Sequence, residues 1–183
     1  MNPVIEAIKN RRSIRRYQRK DVPREITKQL LDAAVMSPSA MNSQGWRFII
    51  IEDKNKIQEL SERTKRQLQI QGYASRFGDR IKSSEDTIFY NAPLLIVITG
   101  DSDDKWSQIN TGITAQTLFL AAQSLGLGSC YIGLANTLNQ EPTVLADIGV
   151  PEGHEIIAVL TFGYADESKN PPHREPKILK WIN

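Results

Sequence analysis

The apolar positions of the first forty residues recur at helical spacing and predict two helices. Asn2 and Pro3 form a capping pair, and the helix that they open would run to about Lys9. Pro23 opens the second helix, which keeps one apolar face as far as Ser37. It would end there, because the proline that follows Ser37 disfavours the helical conformation in the residue before it.

Continuous apolar runs predict the strands. Residues 46–51 and 93–99 are short runs of this kind, and each is expected to be a buried strand, the second on both faces. Residues 129–134 fit a strand or an extended loop, residues 136–148 a helix, and residues 155–164 a further strand. Helices and strands therefore alternate, but without a regular βαβ repeat, which favours the α+β class with a mixed sheet.

Residues 54–90 are polar and are expected to be mostly helical, with Gly72 and Gly78 as breaks. The stretch between the two glycines, from Tyr73 to Phe77, is the segment that we expect to form a mobile flap. Tyr73 and Phe77 could stack against a substrate in this flap, or they could be ordinary packing residues.

The longest predicted helix, residues 107–125, has apolar side chains around most of its circumference. Such a helix is buried on all sides, and in so short a chain we expect a second subunit to supply part of that burial. The tail, residues 165–183, is rich in proline and basic residues but ends in apolar ones, so it too is expected to pack against a surface. All segments together are interpreted as a single domain over residues 1–183.

Composition narrows the function classes. The chain has 183 residues, of which 40% are hydrophobic and 24% charged, and its formal net charge is +2, which argues against a large nucleic-acid interface. Cys130 is the only cysteine and there are two histidines, so the sequence predicts neither a disulfide nor a metal site. The start has no apolar segment of signal-peptide length and no run could span a membrane, so a cytoplasmic location without membrane contact is expected.

The usual catalytic motifs are absent from the sequence. It contains no GxGxxG, no GxxxxGK[ST] and no GxSxG. Cys130 could act as a nucleophile only beside His154 or His173, and the simpler interpretation is a small, partly buried residue. If the protein is an enzyme, a bound organic cofactor is therefore the economical explanation of its chemistry.

Four segments could hold such a cofactor, and each also has a purely structural interpretation. The basic segment 11–16 suits a phosphate, or it is a solvated helix end. The loop 38–46 offers amide and hydroxyl groups for a flat heterocycle, or it only connects a helix to a strand. Three glycines in 126–133 would allow close approach of a ligand, or they end a helix before a strand. Arg174 could be a second phosphate cation, or a solvated charge of the tail.

In this order and spacing the four segments resemble the nitroreductase family. RRSIRRY resembles its R-R-S-x-R opening, PSAMNSQGW its P-S-x-x-N-x-Q-P-W loop, GLGSCYIG its G-L-G-x-x-x-x-G segment, and HREP its basic C-terminal element. The ordered set covers essentially the whole chain. The resemblance implies an α+β fold with a mixed, mainly antiparallel sheet flanked by helices, and a homodimer built on a long central interface helix.

The resemblance also implies two FMN sites at the dimer interface. Arg11 and Arg174 would hold the FMN phosphate, and Arg12 and Ser13 would contact phosphate or ribityl oxygens. Arg15 would lie near the pyrimidine edge of the isoalloxazine ring.

The remaining implied contacts come from two segments. The partner subunit would line the flavin with Pro38, Ser39, Ala40, Met41, Asn42 and Gln44. The segment that would run over one flavin face consists of Tyr131, Ile132 and Gly133.

The implied activity is that of an FMN-dependent oxidoreductase. It would take a hydride from NAD(P)H onto flavin N5 and pass electrons to a nitroaromatic, quinone or similar acceptor by a ping-pong mechanism, with no catalytic side chain and no metal. A dehalogenase, a flavin destructase, an azoline oxidase and a flavin-storage protein remain open, as does a basic-patch protein that binds RNA or a phosphopeptide. The sequence departs from the family pattern at Gly45, where proline is usual, and in residues 72–78.

Overall fold

The computed structural model describes residues 2–182, which form six α-helices and four strands. The helices are α1 (Pro3–Asn10), α2 (Arg24–Ala34), α3 (Lys54–Ile70), α4 (Ala74–Lys82), α5 (Ser107–Ser124) and α6 (Pro142–Ile148). The strands are β1 (Arg47–Ile51), β2 (Leu94–Asp101), β3 (Gly128–Tyr131) and β4 (His154–Gly163). Two 3-10 segments, Ala40–Asn42 and Gly133–Gln140, precede β1 and follow β3.

The four strands form one antiparallel sheet in the order β1-β2-β4-β3. This confirms the predicted α+β class and the mainly antiparallel sheet. Among the described residues, parallel pairing occurs in the single bridge between Ser13 and Ser129. β2 is buried along almost its whole length, as predicted. β1 was also predicted to be a buried strand, but it lies at the sheet edge and is only partly buried.

Alternating side chains of β2 divide the core between the two faces of the sheet. Leu95 and Val97 pack with residues of α3 and α6 on one face. Leu94, Ile96 and Ile98 pack with residues of α2 and α5 on the other. The sheet is therefore a central layer between two helical layers, and α5 lies directly against it.

The predicted helix over residues 136–148 is wrong in its bounds and its type. The 3-10 segment Gly133–Gln140 comes first, and α6 starts separately at Pro142. Glu141 between them has φ −120° and ψ 86°, which is outside the helical region. Proline at the first helical position favours a new start at this point.

The segment expected to form a flap is helical. Gly72 breaks the chain with φ +77°, as predicted, but Gly78 lies inside α4. The irregular position of α4 is instead Phe77, with φ −127° and ψ 19°. Phe77 is partly buried against the core, and its ring centroid lies 6.3 Å from that of Tyr73.

A tight turn joins α4 to β2 and is organised by a buried carboxylate. Asp86 accepts hydrogen bonds from the Ser61 hydroxyl (2.6 Å) and from the backbone N–H groups of Ile88 (3.1 Å), Phe89 (2.8 Å) and Asn91 (3.0 Å). Asn91 and the residue before it adopt left-handed backbone conformations. The carboxylate satisfies three backbone N–H groups in a turn that has no regular ladder to pair them.

Several apolar side chains stay exposed in the single chain. On α5, Ile109 is 54% and Ile113 38% exposed, although the opposite side of the helix is buried. In the tail, Leu179 and Trp181 are 100% and 78% exposed. The all-round burial predicted for α5 is therefore not complete within one chain. Within residues 2–182, no helix is long and apolar enough to cross a membrane.

Candidate functional site

The segment that follows α1 lies against the start of β3. Ser13 forms a bridge with Ser129, and the Ile14 N–H donates to the Ser129 carbonyl at 3.0 Å. A Cβ atom on Gly128 would lie 2.7 Å from a side-chain atom of Ile14. Glycine at position 128 is therefore required for close packing of two chain segments, while Gly126, with φ +74°, ends α5.

Three arginines lie within electrostatic range of one another beside this junction. Burial lowers the pKa of Arg11, and the nearby guanidinium groups of Arg12 and Arg174 lower it further. The Arg11 guanidinium also lies 5.7 Å from the ring centroid of Phe119 on α5. The structure thus brings together Arg11 and Arg174, which are far apart in sequence. Clustered like charges favour the binding of an anion.

Arg12 adds an unsatisfied donor to this cluster. Its Nε atom is buried and has no hydrogen-bond partner among residues 2–182. Leaving a buried charged donor unpaired is costly. The cluster of Arg11, Arg12 and Arg174 therefore has the chemistry of an oxyanion site that includes a buried free donor.

The tail is tied to this cluster by two residues that the sequence analysis did not identify. Lys169 donates from Nζ to the Ser13 carbonyl at 2.8 Å and forms an ion pair with Glu167 at 2.8 Å. Glu167 in turn accepts the backbone N–H of Arg15. Alternating charge in the tail is the only sequence signal for these contacts, and it does not specify a partner.

Cys130 lies within this charged environment. Burial raises the pKa of its thiol, while Arg15, Ser13, Lys169 and Arg11 oppose that change. Neither histidine supports a catalytic dyad: His154 pairs with Thr99 at 3.3 Å and His173 with Glu175 at 3.4 Å. Among the described residues, no group of three potential ligands could hold a metal ion.

The loop over residues 38–44 has an unusual backbone. Met41, Asn42 and Gln44 have φ angles of 52°, 53° and 46°, in the left-handed region. For residues other than glycine this conformation costs on the order of 1–3 kcal/mol and persists only where the surroundings impose it. Here Gln44 donates from its backbone N–H to Ser39 Oγ at 3.0 Å and from Nε2 to Asn42 Oδ1 at 3.1 Å.

Asn110 of α5 holds this loop in place. Its Oδ1 accepts the N–H of Ala40 at 3.0 Å. The Asn110 side chain is buried, and its Nδ2 has no partner within the described chain. Pro38 directly follows Ser37, whose hydroxyl donates to Thr117 Oγ1 of α5 at 2.9 Å, so the start of the loop is also tied to α5.

Within one chain the loop and the arginine cluster are separated along α5. The loop contacts Asn110, whereas Arg11 contacts Phe119. Nine residues of α-helix correspond to about 13 Å. The structure therefore does not bring the predicted residues of loop 38–44 to the cluster in a single subunit.

The segment after β3 borders a polar cavity of about 340 Å³. The Tyr131 hydroxyl donates to the Ile157 carbonyl at 2.8 Å, and burial raises the pKa of that phenol. Ile132 is buried in the core, and Gly133 opens the 3-10 segment. Asn136 also faces the cavity, and its buried Oδ1 has no partner among residues 2–182. Tyr73 and Phe77 lie on α4 and do not line this cavity.

Comparison with known proteins identifies the family. Residues 8–164 match the model of the Nitroreductase family. A Methanothermobacter thermautotrophicus protein, named as a candidate NADH dehydrogenase/NAD(P)H nitroreductase, is 31% identical over 94% of this chain and 81% of its own length. The iodotyrosine deiodinase of Thermotoga neapolitana is 26% identical over 99% of this chain and 98% of its own.

Among solved structures, a nitroreductase with bound FMN from Bacteroides fragilis superposes with a TM-score of 0.91. It is 29% identical, and the match covers 100% of both chains. The fold, the ordered motifs and the family match agree over most of the sequence. This chain belongs to the nitroreductase family.

Proposed function

We propose that the protein is an FMN-dependent oxidoreductase that transfers electrons from NAD(P)H to a nitroaromatic, quinone or similar small acceptor by a ping-pong mechanism. The observation that carries this proposal is the cluster of Arg11, Arg12 and Arg174, with its unpartnered Arg12 Nε. The similar Bacteroides fragilis protein contains FMN, whose phosphate is an anion of the kind that such a cluster binds.

The residues present fit the cofactor. Arg11 and Arg174 would hold the phosphate, and Arg12 and Ser13 would contact phosphate or ribityl oxygens. Arg15, two residues further along, would lie at the pyrimidine edge of the flavin. A cation at that edge stabilises negative charge on the reduced ring, because opposite charges attract strongly where water is excluded.

The other wall of the site would come from a second subunit. Within a chain, the loop is separated from the arginine cluster by about 13 Å along α5. The loop residues that we assign to the partner subunit are Pro38, Ser39, Ala40, Met41, Asn42 and Gln44. The exposed Ile109 and Ile113 provide an apolar surface beside Asn110, which anchors that loop. A homodimer formed on this side of α5 would cover these side chains and complete two cofactor sites.

FMN, when bound, would accept a hydride from NAD(P)H and supply electrons to the acceptor. The protein itself would bind the cofactor, orient the electron donor and acceptor against it, and exclude water from the site. Tyr131, Ile132 and Gly133 would cover one face of the ring, so that donor and acceptor would use the other face in turn. The lack of a Cys–His pair or a metal cluster in the described residues is compatible with this division of roles.

The first test is the visible spectrum of the purified protein, followed by anaerobic addition of NADH and then of NADPH. We expect a flavin spectrum that bleaches with at least one nucleotide and recovers on addition of a nitroaromatic. A flavin that stays oxidised would instead favour flavin storage. A colourless protein that does not take up added FMN would refute the proposal.

The second test concerns the assembly. Analytical ultracentrifugation is expected to give twice the mass of one chain. Ile113→Asp should shift the protein towards monomer and weaken FMN retention, because it places a charge in a desolvated interface. Lys28→Asp, an exposed change on α2, is the control. A wild-type monomer that retains FMN tightly would contradict the shared site.

Reductive dehalogenation is a second candidate, because the similar Thermotoga neapolitana protein is an iodotyrosine deiodinase. Both reactions would use the same arginine cluster. Steady-state turnover of a nitroaromatic and of iodotyrosine, each with the same electron donor, would distinguish them. Faster turnover of the iodinated substrate would favour dehalogenation.

A further inference from the structure

A second cleft, of about 900 Å³, lies beside the proposed cofactor site. Its walls are the segment 15–21, the start of α3, and the chain from Arg80 to Pro93. Arg15 lines this cleft, and in the proposed function it would also lie at the pyrimidine edge of the flavin. The cleft would therefore adjoin the end of the proposed flavin site that Arg15 would occupy.

The lining is strongly basic, with six cationic side chains and three carboxylates. Lys54 pairs with Asp21 at 2.9 Å, and Arg16 pairs with Asp166. The cations of the lining that have no ion-pair partner within residues 2–182 are Arg15, Arg19, Lys20 and Arg80. Asp86, one of the carboxylates, is buried and already accepts four hydrogen bonds. Glu85 is exposed and unpaired among the described residues, so these four cations and one carboxylate leave a net charge of +3, which favours an anion of multiple charge.

A planar surface lies in the same wall. Tyr90 has φ 62°, a conformation that is rare for a bulky side chain and marks a position under strain. Asp86 imposes this turn through its bond to the Asn91 N–H. The Arg80 guanidinium lies 5.9 Å from the centre of the Tyr90 ring. Because the guanidinium stands over the ring of the partly buried Tyr90, a heterocyclic base would stack on the outer face of the arginine plane.

We propose that this cleft binds the adenosine 2′-phosphate end of NADPH. The inference rests on the proposed function, and it selects NADPH as the preferred donor. The pyrophosphate that NADH and NADPH share carries about two negative charges, one for each diester-like phosphate. The four unpaired cations and Glu85 leave a net charge of +3, which exceeds that charge, and the 2′-phosphate adds about two more negative charges. Tyr90 and Arg80 provide the surface for adenine.

The direct test is calorimetric titration of the FMN-loaded protein with adenosine 2′,5′-bisphosphate, with 5′-AMP and with inorganic phosphate as comparisons. We expect the bisphosphate to bind at least tenfold more tightly than 5′-AMP. Equal affinities would overturn the proposal. Binding of inorganic phosphate as tight as that of the bisphosphate would also overturn it, because the site would then recognise a free anion and no nucleotide.

Variants locate the binding in the cleft. Arg19→Gln with Lys20→Gln removes two exposed cations and should weaken bisphosphate binding about tenfold or more, since bonds to charged groups are among the stronger ones. Lys28→Gln with Arg66→Gln removes the same charge from exposed positions outside the cleft. We expect no change in that control. Equal weakening in both variants would show only a general charge effect and would contradict the cleft assignment.

The kinetic counterpart is anaerobic flavin reduction by each nucleotide. The Arg19→Gln/Lys20→Gln variant should raise the apparent Kd for NADPH about tenfold and that for NADH less than threefold. A parallel loss with both nucleotides would overturn the assignment of the 2′-phosphate. If neither nucleotide reduces the flavin of the wild type, the proposed function fails, while the calorimetric result still decides whether the cleft binds the bisphosphate.

Discussion

Replacing Arg11 and Arg174 together with alanine is expected to weaken FMN binding by about a thousandfold. Each arginine would contribute a charge-assisted hydrogen bond to the phosphate, and such bonds are worth about 1.5–3 kcal/mol. Two of them correspond to about three powers of ten in the dissociation constant. The loss should be measured by fluorescence titration of the apoprotein with FMN and, in parallel, with riboflavin.

Riboflavin separates the phosphate contact from the rest of the site, because it lacks the phosphate. Its affinity should change little in the Arg11→Ala/Arg174→Ala variant, and the preference for FMN over riboflavin should largely disappear. Arg66→Ala, an exposed change on α3, should leave both affinities unaltered. Wild-type FMN affinity in the double variant would refute the phosphate assignment.

We expect the Asp86→Ala substitution to reduce the free energy of unfolding by about 3 kcal/mol. The substitution leaves one hydroxyl and three backbone N–H groups without their buried acceptor, and each unsatisfied buried donor costs about 1–3 kcal/mol. Relaxation of the strained turn at Tyr90 and Asn91 would recover part of the loss, so the costs do not simply add. Urea denaturation followed by circular dichroism measures the change.

The neighbouring Glu85→Ala is the matched control, because Glu85 is exposed and its side chain forms no hydrogen bond within residues 2–182. Its effect should stay within about 0.5 kcal/mol. Asp86→Asn should lie between the two, since an amide keeps one acceptor oxygen and lacks the second. Equal stability of the Asp86→Ala and Glu85→Ala proteins would mean that the carboxylate does not hold the turn.

Much of the fold could be predicted from local sequence patterns. Capping residues and the spacing of apolar residues indicate α1, α2, α5 and the buried strands. The sequence analysis did not predict the end of one helical segment at Gln140 and the start of another at Pro142. The proline was nevertheless a sign of it, because proline is favoured at the first position of a helix. Gly78 was interpreted as a break, but glycine inside a helix costs only about 1 kcal/mol, which surrounding packing can offset.

The candidate site was less accessible for a different reason. The basic residues Arg11 and Arg174 could be selected from the sequence by resemblance, and the structure brings them together. The contacts of Lys169 with Ser13 and of Glu167 with Arg15 join residues more than 150 positions apart. No local sequence pattern specifies such a pair. The contacts form because β4 pairs with β3, beside the segment that follows α1, and the tail leaves β4 at that point.

In the proposed shared site, the left-handed backbone at Met41 and Gln44 would set the stability of the isolated chain against cofactor binding. Glycine at either position would remove a conformational cost on the order of 1 kcal/mol and would stabilise the isolated chain. The same change would let the loop sample many shapes, and ordering it again would draw on the free energy of ligand binding. We therefore expect selection for thermostability alone to favour glycine in this loop. Variants of this protein selected in that way would resist heat better but bind the cofactor more weakly.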